Sequence, residues 1–360
     1  MSRPGEETAM KQATKSPHPD SFETRRIGPR MARRRMLGGA AATAAATVAA
    51  AIGLTGCSRR EPLLRIASNV WPGYELMHAA QALGRFDEAE LRIIEMPSST
   101  DVLQSLASGV IEGGGLTLDE LLSARADGLD LCAVLVFDES TGADALIAQA
   151  EIGSLAALVG KRIGVEQTAT GALVLHAALQ AAGLRLEQVQ PVFMTVANHL
   201  AAWQTRQVDA LVTFEPVLGA AAAQGARRLF DSHAMPGQII DVLAVHRSTL
   251  QRNPQALRRL VQMHFEMQAL WLTEPQRLAP GIGARLGLAP AQVPGFLDGL
   301  SMPGLLENHQ WLAGNQPRLL TSARHLEQVM RKARLLTRAA PQTPLCSTAV
   351  LPALPAGADT

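Results

Sequence analysis

Leu63-Leu64-Arg65-Ile66-Ala67-Ser68-Asn69-Val70-Trp71-Pro72-Gly73-Tyr74-Glu75-Leu76 decides how this chain is read. Leu63 to Ala67 is a short apolar run, which reads as a buried strand. Leu76, Ala79, Ala80 and Leu83 then recur at helical spacing, and Gly84 stops the helix. A strand feeding a helix after a short turn is the opening half of a strand–helix–strand unit.

The pattern repeats downstream. Leu91 to Ile94 is the next strand. Thr100-Asp101 can cap a helix whose apolar face is Val102, Leu103, Leu106 and Val110, ending near Gly109. A helix follows from Leu118 to Ala126, then a strand from Leu131 to Phe137. After a break the alternation restarts, with strands at 161–165, 189–194, 208–213 and 228–230. Helices fall between them, at 173–182, 199–205 and 215–224. Ile239 to Val245 is a further apolar strand, and Gln255 to Leu272 a long helix. Alternation of this kind implies α/β lobes, each a mostly parallel sheet flanked by helices. The second unit is inserted in the first, so two crossing segments join them, with Asp144–Ala148 and Ile240–Val245 as candidates. The expected division is 58–145 plus 241–338 for lobe 1 and 146–240 for lobe 2. A Pro-rich tail over 339–360 is expected to be loose.

Residues 1–57 read differently. Met1 to Pro29 carries almost no large apolar residues and cannot bury enough surface to fold. Arg33-Arg34-Arg35-Met36-Leu37 then leads into an Ala/Gly/Thr run, Gly38 to Leu54. Charged start, weakly apolar middle and small residues before a cleavage point are the parts of a secretory signal. A membrane-spanning helix needs roughly 20 predominantly apolar residues, and this run is shorter and Ala-rich. Met31 is an alternative start. Leu54-Thr55-Gly56-Cys57 resembles the bacterial lipobox, which implies that Cys57 is diacylated and becomes the mature N-terminus, tethered to the membrane. The arginine pair resembles a twin-arginine export signal.

The 360 residues hold 33 Lys and Arg against 32 Asp and Glu. That balance excludes a strongly basic nucleic-acid binder. The first 57 residues contain 9 of the basic and 4 of the acidic groups, so the remainder carries 24 against 28 and is mildly acidic. Three cysteines make no disulfide scaffold.

Segments in a fixed order then resemble the solute-binding lipoproteins of nitrate/sulfonate/taurine-type ABC transporters. They are Trp71-Pro72-Gly73-Tyr74-Glu75, Gly84-Arg85-Phe86, Thr117-Leu118-Asp119-Glu120, Gly160-Lys161-Arg162-Ile163-Gly164-Val165 and Val208-Asp209-Ala210-Leu211-Val212-Thr213-Phe214-Glu215-Pro216. The likeness covers 63 to about 250, weakens over 250–335 and is absent beyond. It implies a two-lobed periplasmic-binding-protein (type II) fold with a two-strand hinge. It also implies an exported, lipid-anchored monomer that closes on a small-molecule solute and hands it to a permease with its ATPase subunits. No cofactor, metal or nucleic acid is implied.

Ligands in such sheets meet strand C-termini and helix N-termini. Trp71 and Tyr74, the only tyrosine, sit between first strand and first helix. They either stack on a ligand or pack onto the lobe. Thr168, Thr170 and Gly171 precede one helix, and Thr100 and Thr117 precede two others, where free N–H groups suit an anionic group. Plain capping is the competing role. Asp119, Asp138, Glu215 and Asp241 lie at strand ends or helix starts; if they face the cleft, the ligand carries an amine, amidine or ring N–H. Four carboxylates there disfavour a bare anion. Asn69 either points into the cleft or turns the chain.

Enzyme signatures are missing. The nine histidines form no His-Glu-x-x-His, Gly160-Lys161 lacks the earlier glycine of a phosphate loop, and Ser301 lacks a nucleophile elbow. A eukaryotic relative of the fold makes the thiamine pyrimidine, but its cysteine-rich motif is absent. A sensor signalling to a membrane partner, or an enzyme on the same fold, are the competing functions.

Overall fold

The structure is a computed structural model that describes residues 60–166 and 169–354, with backbone alone at Ala169. The predicted leader, Cys57 and Thr168 lie outside the described residues.

The opening stretch forms β1 (Leu64–Ser68), a single tight turn over Pro72–Tyr74, and α1 (Glu75–Ala82). The alternation continues as β2 (Leu91–Glu95), α2 (Ser99–Ala107), β3 (Gly113–Thr117), α3 (Leu118–Ala126) and β4 (Leu131–Ser140). The inserted unit supplies β5 (Ala145–Ala148), β6 (Arg162–Val165), α4 (Ala169–Ala181), β7 (Gln190–Phe193), α5 (His199–Gln204), β8 (Ala210–Thr213), α6 (Val217–Ala222) and β9 (Arg227–Asp231). The chain returns through β10 (Ile240–His246) to the long α7 (Pro254–Thr273), and the short β11 (Leu300–Ser301) closes one sheet edge.

Two sheets result, ordered β11-β4-β10-β3-β1-β2 and β7-β6-β8-β5-β9. Both are mixed. The strands joined by helical crossovers, β2-β1-β3 and β7-β6-β8, are parallel. The strands beside the lobe junction, β5 and β10, run antiparallel to their neighbours. The central strands read as unbroken apolar runs because both faces are covered: Leu131 to Phe137 and Ile240 to Val245 are buried throughout.

The crossings lie one step earlier than the sequence suggested. Residues 144–148 and 240–245 run into the two sheets; the chain passes between lobes through 141–144 and 232–239. There Gly142 N–H donates to Ser232 Oγ at 2.7 Å, the Ser140 and Ser232 hydroxyls meet at 2.8 Å, and Ser232 N–H donates to the Asp144 carbonyl at 2.9 Å. Gly142 has φ +116°, a conformation that side chains beyond glycine rarely adopt. The two segments are thus clasped side by side as a hinge.

The tail also departs from expectation. Cys346 bridges to Ala133 on β4, and Leu345 and Val350 are buried. The buried Arg125 on α3 holds the tail, donating to the Thr343 carbonyl at 2.6 Å and the Pro341 carbonyl at 3.3 Å. Proline richness removed backbone donors, but carbonyls remain, and a guanidinium has enough donors to collect them. Among the described residues no helix is long and apolar enough to cross a membrane.

Candidate functional site

The strand ends and helix starts of the two lobes face one another. Thr117 begins α3 in one lobe and Thr170 lies in the first turn of α4 in the other. Thr170 Oγ1 donates to Asp119 at 3.0 Å and meets Thr117 Oγ1 at 2.7 Å, so one hydroxyl chain crosses the cleft. Trp71 of lobe 1 stands edge-on to Phe214 of lobe 2, ring centres 5.1 Å apart. These contacts describe lobes drawn together.

Between them lies a cavity of about 40 Å³. At roughly 10–15 Å³ per water it holds a few waters or a compact solute. Its lining includes Asn69, Trp71, Tyr74, Thr117, Thr170, Gly171 and Asp241 from the sequence-derived set. Ser99, Glu120, Asp144, Glu166, His199, Thr213 and Phe214 also line it, and none of the lining residues is Lys or Arg.

Each side chain is placed by local folding. The turn after β1 sends the Trp71 indole inward, where Nε1–H donates to both oxygens of Asp138 at 3.2–3.3 Å. Tyr74 crosses the sheet to Asp241 on β10 and donates its hydroxyl there. Its ring lies flat against Gly115, where an added Cβ would sit 2.6 Å from the ring. Phe137 packs edge-on at 5.2 Å. Gly171 likewise permits close approach to the end of β6, since a Cβ there would meet the Glu166 carbonyl at 2.6 Å. His199 opens α5 and bonds the Thr213 hydroxyl at 3.0 Å. Glu120 reaches back to the Thr117 backbone N–H at 3.1 Å.

Burial governs the charge state. It pushes Glu120 up to about 8, with Asp119 and then Glu166 adding repulsion. It raises Asp138 to about 8 against the opposing Trp71 hydrogen bond. Asp144 and Glu166 each rise to about 7, Glu166 despite a backbone N–H from Thr100. Asp119 rises to about 6, held back by Thr117 and Thr170. Asp241 is held well above the carboxylate range by burial and then by Asp138. Burial lowers His199 to about 4, so its ring is neutral at pH 7. Four buried polar atoms on lining residues have no hydrogen-bond partner: Asp144 Oδ2, Glu166 Oε1, Asp241 Oδ2 and His199 Nε2. Native interiors rarely leave such groups unpaired. No group of three or more metal-ligating side chains occurs among the described residues.

The remaining candidates sit elsewhere. Asp119 and Asp138 form a layer behind the lining, fixing Thr170 and Trp71. Thr100 is on α2, where Ser98, two residues earlier than expected, is the cap: Asp101 N–H donates to Ser98 Oγ at 3.2 Å. Glu215 does not line this cavity. Its carboxylate accepts the Gly219 N–H at 2.9 Å, bending onto its own helix, and it borders a separate open groove of about 520 Å³ beside Leu286 and Phe296. That groove is larger, but no set of buried polar groups converges on it.

A signal for the missed residues existed. Glu166 directly follows β6 and Phe214 directly follows β8, the strand C-termini at which α/β sheets bind ligands. Glu120 stood in the quoted Thr117-Leu118-Asp119-Glu120 segment.

The fold is the two-lobed one of the periplasmic-binding proteins. Over residues 71–276, more than half its length, the chain matches the family described as NMT1/THI5 like, and it belongs to that family. It is 24% identical over 216 residues to the putative aliphatic sulfonates-binding protein of Escherichia coli K12, covering 59% of this chain and 68% of that one. It is 25% identical over 213 residues to the taurine-binding periplasmic protein of the same organism, covering 56% and 66%. The solved structure of the alkanesulfonate-binding protein SsuA from Xanthomonas axonopodis pv. citri, bound to MOPS, superposes with a TM-score of 0.68 at 21% identity, covering 80% of this chain and 99% of that one. The chain therefore spans about two thirds of the curated relatives' length and nearly all of that solved structure.

Proposed function

We propose that this protein is the exported solute receptor of an ABC importer. It captures a small polar organic solute, sulfonate-, amino-acid- or pyrimidine-like, by closure of its lobes, and delivers it to a permease with its ATPase subunits. The observation that supports this most is the cavity between the lobes, walled by Trp71 and Phe214 and fed by two facing helix N-termini. Binding rather than turnover is the reading, since the two Escherichia coli relatives described above are named as binding proteins.

The lobes are those divided near 145 and 240, working as a monomer around the hinge at Gly142 and Ser232. The leader carries the chain out of the cytoplasm by the twin-arginine route, and diacylation of Cys57 holds it at the membrane facing the periplasm. A tether of that kind keeps a receptor near its permease without crossing the bilayer.

The test is a melting-point survey of the full chain against organic sulfonates, amino acids and pyrimidines, followed by uptake in cells lacking the gene. A solute that raises the melting point and whose uptake needs the gene supports the proposal. Silence across the panel, with uptake unchanged, counts against it.

A further inference from the structure

Every polar wall of the closed cavity carries negative or neutral chemistry. Glu120 and Asp241 come from lobe 1, Glu166 from lobe 2 and Asp144 from the hinge, and among the described residues no Lys or Arg lines the space. Three of these four carboxyls present an oxygen without any partner, and each is at least nine-tenths buried: Asp144 is 5% exposed, Glu166 7% and Asp241 1%. Carboxyl oxygens left unpartnered on both lobes and the hinge suit a group rich in N–H donors.

We propose that the solute is a compact organic cation, a protonated amine or amidinium, whose N–H groups bridge Glu166 of lobe 2 to Asp144 and Asp241. This rests on the receptor reading above and names the solute class for it. The chemistry differs from that in the names of the sulfonate-binding relatives.

Electrostatics separates the two classes. A sulfonate stays ionised at any physiological pH. Inside the cavity a sulfonate finds no Lys or Arg among the described residues to offset its charge, and its presence holds the buried carboxyls in their neutral form. A cation does the reverse, favouring ionised carboxyls, and opposite charges attract strongly in a buried site. A cation entering the same space gains that attraction from each carboxyl it ionises. It also meets the Trp71 and Phe214 rings, whose faces attract cations. Closure then follows, because a cation held by Glu166 on one side and by Asp144 and Asp241 on the other links the lobes.

The test uses the full chain and two probe sets: methylguanidinium, 1,2-diaminoethane and 4-aminopyridine against methanesulfonate and ethanesulfonate. Binding is read by titration calorimetry and by melting point. The inference expects at least one amine to bind and both sulfonates to fail. It expects Glu166→Gln, which keeps the size and hydrogen-bonding capacity, to weaken that amine at least tenfold, and Asp144→Asn to do the same. Both variants lose a buried ionisable group, so melting points at or above the parent's show that they remain folded. A sulfonate bound more tightly than every amine overturns the cation class and leaves the receptor reading standing. Amine affinity unchanged in both variants overturns it as well. Silence of all five probes together with silence of the wider solute panel removes both readings.

Discussion

Raising the pH from 6.5 to 8 should destabilise the solute-free protein. Glu120 and Asp138 titrate at about 8 in the folded chain, Asp144 and Glu166 at about 7, against ordinary values near 4 when unfolded. A carboxyl whose folded value is raised stabilises the fold fully at low pH, and that stability is lost as pH rises through the folded value. The slope is about 1.4 kcal/mol per pH unit for each proton held only by the folded state. Across this window Glu120 and Asp138 each remove between about 1 and 2 kcal/mol, and Asp144 and Glu166 about half as much each. The four together remove about 5 kcal/mol, and Asp241 acts in the same direction. The window is chosen for its lower limit. His199 and His264 are lowered to about 4 and His78 to about 3 by burial, so they favour folding as pH rises through 6.5, and above it they offset roughly 1 kcal/mol of the loss. Thermal unfolding is the assay. At roughly 2 °C per kcal/mol for a chain of this size, the melting point should fall by about 8 °C between pH 6.5 and 8. Glu120→Gln should remove about 3 °C of that fall. A melting point that is flat or rises over this window, equally in parent and variant, refutes the account of the buried carboxyl cluster.

Trp71→Ala removes a cavity wall and the donor to Asp138, and should weaken solute binding by about 1–3 kcal/mol while the lobe stays folded. Glu215→Ala, whose carboxylate turns onto its own helix, should leave solute affinity within about twofold, and calorimetry compares the pair. Arg125→Met should cost about 2–3 kcal/mol in urea unfolding by leaving tail carbonyls unpaired, and should expose residues 341–354 to protease first. Cys57→Ser should release the protein from the membrane fraction and abolish labelling by a radioactive fatty acid; retention in that fraction with label lost would point to an uncleaved leader as the anchor.

The alternation of strands and helices was legible because the central strands are covered on both faces. Leu131 to Phe137 could be nothing but apolar, and periodicity separated it from the helices beside it. The hinge lies beside the segments that sequence suggests because Thr141 to Asp144 and Ser232 to Gln238 carry no periodic signal, while the apolar strands next to them do. The site was partly legible. Trp71, Tyr74, Thr117, Thr170 and Asp241 line the cavity because strand ends and helix starts converge there. Glu166 was missed because an acidic residue after a strand looks like a cap, and Asp144 because it opens a segment that reads as a crossing. Glu215 shows the opposite error: Pro216 marked a helix start, but sequence does not say whether a carboxylate bends back to its own helix or outward. The tail was misread because proline content outweighed Leu345 and Val350, two apolar residues with a surface to cover.

Native mass spectrometry of the full chain as purified tests the receptor account most directly. The account predicts one small molecule per chain, released on acid unfolding and lost or diminished in Trp71→Ala. A chain that carries nothing, and gains nothing from a cell extract of small molecules while its melting point stays fixed, contradicts it.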